Sequence, residues 1–382
     1  MSNTKTALTA FSVITTLLLG AIQYSPASAA TKYTITFKAN GGDGVMSKQS
    51  AASSGTKLTT NKYSLFERAF AGWALTATGA VKYKNGAIIK PTKNTTLYAR
   101  WSWARTLPIL SGHQVGALLW SDEFTAKSGS PVDATSWTAR YCGHEDTNGG
   151  GTCHNDEPQW YTPDALRTDG TGQGNMVITT KRVSSTPTDA GPCLTSACYY
   201  TSGRFDTQGK VSFQYGYIEA RMQMPVGGAN WPAFWALGDS MSSVGWPLAG
   251  EIDIAEEGGN LPMRASSAVH YSTVNQATCC GNHLYEYSQL LNVANYQTSF
   301  HTYGLAWSPS KMEFYVDRQL FWTVTPSTLR SNVWSFNSPF FLILNNATGP
   351  FGGNWDGWSQ SQTKIDYVRA WKLDGQGTVT KH

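Results

Sequence analysis

The chain has 382 residues, enough for two domains and a sizeable core. Its 29 Lys and Arg against 25 Asp and Glu leave a net charge of +4. The basic residues are scattered, with no run that would track a phosphate backbone, which excludes nucleic acid as an expected partner.

The first 29 residues read as a secretory signal peptide. Lys5 supplies a positive start, ALTAFSVITTLLLGAI an apolar core, and Ala27-Ser28-Ala29 a small-residue cleavage site. A membrane anchor would need a longer apolar run, and no later segment supplies one. The expected protein is secreted and extracellular, makes no membrane contact and acts as a monomer.

Residues 32–101 read as a separate unit. YTITFKA alternates apolar and polar residues as a strand does, and NGGDG follows as a turn. AFAGWAL and TTLYARW supply further strands. This run resembles the Listeria–Bacteroides repeat, also called the internalin B-repeat. The resemblance rests on Tyr33-Thr34-Ile35-Thr36-Phe37, Asn40-Gly41-Gly42, Phe70-Ala71-Gly72-Trp73 and Asn94-Thr95-Thr96-Leu97-Tyr98-Ala99-Arg100-Trp101. It implies a small β-grasp-like module, used for attachment or for spacing. Residues 102–114 then read as a linker.

From residue 115 to about 374, short apolar or aromatic strands alternate with Gly, Pro, Asn and Ser turns. NMVITTKR, GYIEARMQM, MEFYVDRQLFWTV, FFLILNNA and KIDYVRAWK are examples. No long stretch keeps a helical period, so an antiparallel all-β sandwich or barrel is expected. Aromatic residues are 13% of the chain and charged residues 14%, with 37 glycines. That balance suits a β protein that handles sugars, whose C–H faces stack on indole. The same rings would equally fill a sandwich core.

Six cysteines, Cys142, Cys153, Cys193, Cys198, Cys279 and Cys280, read as disulfide candidates in an oxidising compartment. Sequence does not choose among the pairings; the local bridges Cys142–Cys153 and Cys193–Cys198 are the simplest. Zinc is the rival reading, but there is no paired CxxC, and His154 and His283 show no regular ligand spacing.

The most informative stretch is LAGEIDIAEEGG, residues 248–259, with four acids in an apolar run. As a strand it points Glu251 and Asp253 to one face and Ile252 and Ile254 to the other. Strict alternation would turn Glu256 away, and a one-residue β-bulge would bring it back. Glu251 and Glu256 are then four strand steps apart, about 13 Å at about 3.3 Å per step. With about 4 Å of each Glu side chain leaning inward, a gap on the order of 5 Å remains. That is the separation a retaining glycosidase uses, against roughly 6.5–9.5 Å for an inverting one. Three carboxyls on one face cannot all ionise cheaply, so at least one stays protonated and can donate. A calcium loop would carry Asp, Asn and Gly at loop spacing, and an edge strand would not alternate its acids with Ile.

The stretch Glu251-Ile252-Asp253-Ile254-Ala255-Glu256 also resembles the Glu-x-Asp-x-x-Glu signature of glycoside hydrolase family 16, laminarinase-like branch. WSDEF (120–124), NDEPQWYT (155–162), YTSGRFDTQGKVSFQYGYIEARMQMP (200–225), NWPAFWALG (230–238), VGWPLAGEIDIAE (244–256), FHTYGLAWSPSKMEFYVDRQLFWTV (300–324), PFFLILNNATG (339–349) and KIDYVRAWK (364–372) extend it in order. The resemblance implies a β-jelly-roll sandwich of two antiparallel sheets with a concave cleft over residues 115–374. It implies Glu251 as nucleophile, Glu256 as acid/base and Asp253 as the residue tuning both. Glu257 has no role in it and is expected to face solvent or the outer sheet. Trp231, Trp235 and Trp246 are candidate sugar platforms, Trp246 above all because it sits between Gly245 and Pro247. Trp231 and Trp235, four apart, share a strand face. Asn155, Arg204 and His270 are expected to line the cleft, although His270 would serve equally well as a core histidine.

No catalytic cofactor is implied. A structural calcium is, through Asp366 with backbone oxygens near Glu123 and Gly174. The sequence departs from the family pattern at Tyr217, around Cys279-Cys280, and in FGGNWDGWSQSQ, segments expected to rim the cleft. The expected activity is endo-hydrolysis of β-1,3 bonds in a β-glucan polysaccharide. Alternatives are a mixed-linkage glucan, a galactan of the agar or carrageenan type, or a non-catalytic glucan-recognition protein. An adhesive role for residues 32–101 is a further alternative.

Overall fold

The computed structural model describes residues 30–65, 68–103, 107–141, 157–170, 174–183, 199–273, 283–331 and 333–382. The signal-peptide segment, all six cysteines and Asn155 lie outside the described residues. No helix among the described residues is long and apolar enough to cross a membrane.

The N-terminal module is a mixed four-stranded sheet in the order Gln49–Ala52, Lys32–Lys38, Thr95–Trp103, Arg68–Ala74. Its first and last strands lie side by side in parallel, Phe37 opposite Leu97, while the other pairs are antiparallel. Trp73 is fully buried, and the rings of Phe37, Tyr63 and Phe70 pack round it. A module this small depends on such a centre, because a large aromatic side chain removes more apolar area from water than any aliphatic one.

The segment read as a linker is tied down. The strand Thr95–Trp103 runs into it. Leu110 is buried against Tyr217, Trp371 and Leu373 of the larger domain. His113 bridges Glu313 and Asp374, both at 2.7 Å.

The larger domain is the expected jelly-roll sandwich. Among the described residues, its outer sheet has ten strands, with Gly216–Gln223 and Gln360–Leu373 at the centre, and its cleft sheet has nine. The main path of the cleft sheet runs His283–Leu291, Arg264–Ser272, Glu251–Glu256, Asn230–Gly238, Phe340–Thr348, Arg204–Asp206, Thr138–Ala139. Alternation decides what faces inward. Ile252, Val269, Phe234, Leu342 and Leu344 from the cleft sheet meet Ile218, Met222, Leu305 and Phe314 from the outer sheet in one core. Each such side chain contributes about 1.5–3 kcal/mol on burial.

Two details differ from the sequence reading. MEFYVDRQLFWTV is a hairpin, Lys311–Val316 and Gln319–Val324, because Asp317 and Arg318 both take positive φ (49° and 62°) and close a tight turn. Tyr217 does not rim the cleft. It is buried in the outer sheet, where its hydroxyl donates to Glu219 at 2.7 Å.

Candidate active site

The acidic strand Glu251–Glu256 pairs with Asn230–Gly238 on one side and Arg264–Ser272 on the other. On the first side Leu237 faces Glu251, Trp235 faces Asp253, Phe234 faces Ala255 and Ala233 faces Glu256. Ile254 has no partner: it is the extra residue of the bulge. Measured on the partner strand, Glu251 and Glu256 are therefore four residues apart, about 13 Å along the backbone. Ile252, Ile254 and Ala255 are buried in the core, and the three acids line one cavity of about 440 Å³.

Each outer acid is held by an indole. Trp231 Nε1 donates to Glu256 Oε1 at 2.9 Å, and Trp246 Nε1 donates to Glu251 Oε2 at 2.8 Å. Trp235 lies between, its Nε1 donating to Asn345 Oδ1 at 2.7 Å. Trp231 and Trp235 do share the cleft face, since both line the cavity. Trp246 follows the one-turn helix Met241–Val244 and stays 38% exposed.

His270 also lines the cleft. Its Nε2 lies 3.1 Å from Asp253 Oδ2 and 3.8 Å from Glu251 Oε1, while its Nδ1 meets His283 Nε2 at 2.7 Å. Arg204 holds its guanidinium 5.0 Å from the Trp235 ring, and its buried Nε has no hydrogen-bond partner among the described residues. Its side chain lines the cavity beside Glu157 and Tyr161.

Burial is the largest cause of every proton shift here. It pushes Glu251 up to about 8, with the Asp253 charge adding to the rise and His270 opposing it. Burial, then the Glu256 charge, drives Asp253 well above the carboxylate range. Burial also raises Glu256, against the Trp231 N–H. His283 is held below the usual histidine range by burial and by the neighbouring His270 and Arg330. Glu257, by contrast, is turned off the cleft and away from solvent. It is 1% exposed, and its neighbourhood includes Tyr303 of the outer sheet.

Glu157, Tyr161, His283 and Asn345 also line the cavity, and sequence reasoning does not single them out as site residues. Glu157 and Tyr161 belong to NDEPQWYT, and Asn345 begins a polar pair at the end of an otherwise apolar strand; both are usable signals. His283 opens an aromatic row. Trp246 lies 4.3 Å from His283, which stacks on His270 (5.0 Å) and Tyr285 (5.7 Å), and Tyr287 follows at 6.1 Å. Tyr285 and Tyr287 are about half exposed on the edge strand.

The residues assigned to calcium do not fit a cation. A Cβ on Gly174 would meet the Phe124 carbonyl oxygen at 2.1 Å, so that backbone does converge. The carboxylates, however, already carry guanidinium partners: Asp366 takes Arg68 and Arg221, and Glu123 takes Arg369. Glu251, Asp253 and His270 bring ligand atoms within 4.8 Å of one another, a spacing a metal could also use. Two-carboxylate glycoside chemistry needs none.

A cross-sheet cleft with two indole-held glutamates about an aspartate is the site of a glycoside hydrolase. Residues 159–369 match glycosyl hydrolases family 16, and the chain belongs to that family. Residues 33–100 match the Listeria-Bacteroides repeat domain. A β-glucanase of Rhodothermus marinus is 32% identical over 268 residues, covering 67% of this chain and 85% of that protein. The solved endo-β-1,3-glucanase of Pyrococcus furiosus shares 32% identity at a TM-score of 0.59, over 70% of this chain and 98% of its own. A LamA variant from Z. galactanivorans, solved with laminaritriose and laminaritetraose, shares 26% identity at a TM-score of 0.56, over 68% of this chain and 100% of its own.

Proposed function

We propose that the protein is a secreted endo-β-1,3-glucanase that cuts β-glucans with retention of configuration. The observation that supports this most is the pair Glu251 and Glu256, on one face, four register steps apart, with Asp253 between them. Glu251 attacks the anomeric carbon as the glycosidic C–O bond breaks. Glu256 gives its proton to the leaving oxygen. In the second step the Glu256 carboxylate takes a proton from water, whose oxygen displaces Glu251 from the sugar.

Proton placement follows from the neighbours. Asp253 is the most buried of the three acids and keeps its proton. The second-largest cause of the Glu251 rise is then gone, and the Trp246 N–H and His270 favour the Glu251 anion. Burial raises Glu256, which favours the proton it gives in its first task. Neither step uses a cofactor.

The similarity to glucanases supports the β-1,3 linkage. The rings of Trp231, Trp235 and Trp246, with Tyr285 and Tyr287 beyond them, offer faces for successive sugars. The test is reducing-sugar release from β-1,3-glucan, mixed-linkage glucan and agarose, with NMR of the first product anomer. A β-anomer released from β-1,3-glucan is the expected result. An α-anomer would overturn retention, and binding without release from any polymer would turn the protein into a glucan-recognition protein.

A further inference from the structure

The outer sheet carries a buried charge cluster that reaches into the N-terminal module. Arg68 opens the module strand Arg68–Ala74, and its Nη2 lies 3.3 Å from Asp366 Oδ1. The two side chains are only 4% and 7% exposed. The other Asp366 oxygen takes Arg221 Nη1 at 2.9 Å. Beside them Arg369 holds Glu123 through Nε at 3.0 Å and Nη2 at 3.2 Å, and Arg68 also feels the Glu123 charge.

Backbone irregularity puts Asp366 there. Arg221 pairs with Tyr367 and Met222 with Ile365, so Asp366 is the unpaired residue of a bulge in Gln360–Leu373. Both carboxylates of this cluster thus already carry guanidinium partners, Asp366 two of them and Glu123 one. At the position where the family resemblance places calcium, a divalent cation would have to displace Arg68 and Arg221 from Asp366. The chain after the module is pinned as well, by Leu110 in an apolar cluster of the larger domain and by His113 between two carboxylates.

We propose that Arg68 is a built-in counterion through which the N-terminal module braces the outer sheet of the glycosidase domain, in the place of a bound metal. The module is then part of the hydrolase's framework rather than a tethered spacer. A guanidinium suits this place: it stays charged when buried and offers several donors in a fixed fork. Burial lowers Arg68 only to about 10, so it remains a cation at neutral pH.

The test uses the full chain and thermal melting in EDTA, in buffer alone and in millimolar calcium, for wild type, Arg68→Ala, Arg68→Lys, Asp366→Asn and the double variant Arg68→Ala/Asp366→Asn. The expected wild-type Tm is the same in all three solutions. Arg68→Ala lowers Tm by on the order of 5 °C. Arg68→Lys loses less, and the double variant loses less than the sum of the two single losses. A wild-type Tm that falls in EDTA and returns with calcium would overturn the proposal. So would an Arg68→Ala protein that melts with wild type, or strictly additive losses. None of these outcomes depends on the substrate or on catalysis, so the proposal stands or fails apart from the proposed activity.

Discussion

Two groups of carboxylates sit on opposite sheets of one sandwich, and their neighbours are of opposite kinds. Asp366 on the outer sheet and Glu123, just past the end of its strand Val115–Asp122, each face at least one guanidinium. Glu251, Asp253 and Glu256 on the cleft sheet face one another, two indole N–H groups and a histidine. Burial is common to both. What differs is compensation: the outer acids are paired with fixed cations, whereas burial raises all three cleft acids, helped at Glu251 and Asp253 by a neighbouring acid's charge.

The contrast can be broken most sharply at the cleft. Glu251→Gln is expected to lower kcat on β-1,3-glucan by on the order of 10⁴-fold or more, since no other group can form the covalent intermediate. Circular dichroism should be unchanged. A variant retaining more than a few per cent of activity would remove Glu251 from the nucleophile's role. Glu256→Gln should lose roughly 10²- to 10⁴-fold on glucan. On an aryl glycoside with an acidic leaving group, which needs no proton, the first step should lose far less. Equal losses on both substrates would deny Glu256 the acid's role.

The outer sheet should answer in stability rather than rate. Asp366→Ala leaves Arg221 and Arg68 without their shared acceptor, a loss of about 3–5 kcal/mol in unfolding free energy. The kcat of the folded variant at 25 °C should be unchanged. A variant that melts normally but turns over slowly would erase the distinction between the two clusters.

Linkage sharpens the comparison further. Glu251 is raised from 4.5 to about 8 by burial and by Asp253. Between those pH values the unfolded chain releases this proton before the folded protein does. The stability this group contributes is therefore fully present below pH 4.5 and is lost as pH rises through about 8. Glu251→Gln removes that titration. Its stability relative to wild type should grow across the window by a few kcal/mol at most, at about 1.4 kcal/mol per pH unit. Denaturant melts at both ends of the window measure it, and a pH-independent difference would show that folding does not raise Glu251. The smallest expected effect lies on the edge strand. Tyr287→Ala should weaken kcat/KM on long glucans by a few-fold, about 1 kcal/mol, and leave short oligosaccharides unchanged. Equal loss on both would make Tyr287 structural.

The cleft is the more legible of the two regions, for a physical reason. Glu251, Asp253 and Glu256 lie within six residues of one strand, where period-two alternation and one bulge decide the facing. Trp231 and Trp235 are readable in the same way, on the adjacent strand. The hairpin at Asp317-Arg318 is hidden because neither residue is Gly or Asn, the usual mark of positive φ. Glu157, Asn345 and His283 reach the cavity from strands and turns remote in the chain, and no local period points to that meeting. The outer cluster is least legible of all. The family resemblance marks Asp366 as a ligand, but its partner Arg68 comes from 298 residues away, in another module. Sequence distance of that order leaves no pattern to read.

The bulge at Ile254 has a consequence for how the cleft tolerates change. Leu237 and Ala233 on the neighbouring strand act as the ruler for the two glutamates, and the acidic strand carries one residue more than the ruler needs. Removing Ile254 would leave Glu-Ile-Asp-Ala-Glu, a plain alternating strand that meets the same two marks. The spacing between the glutamates would survive, and the loss would fall on the core, which would be short of one isoleucine side chain.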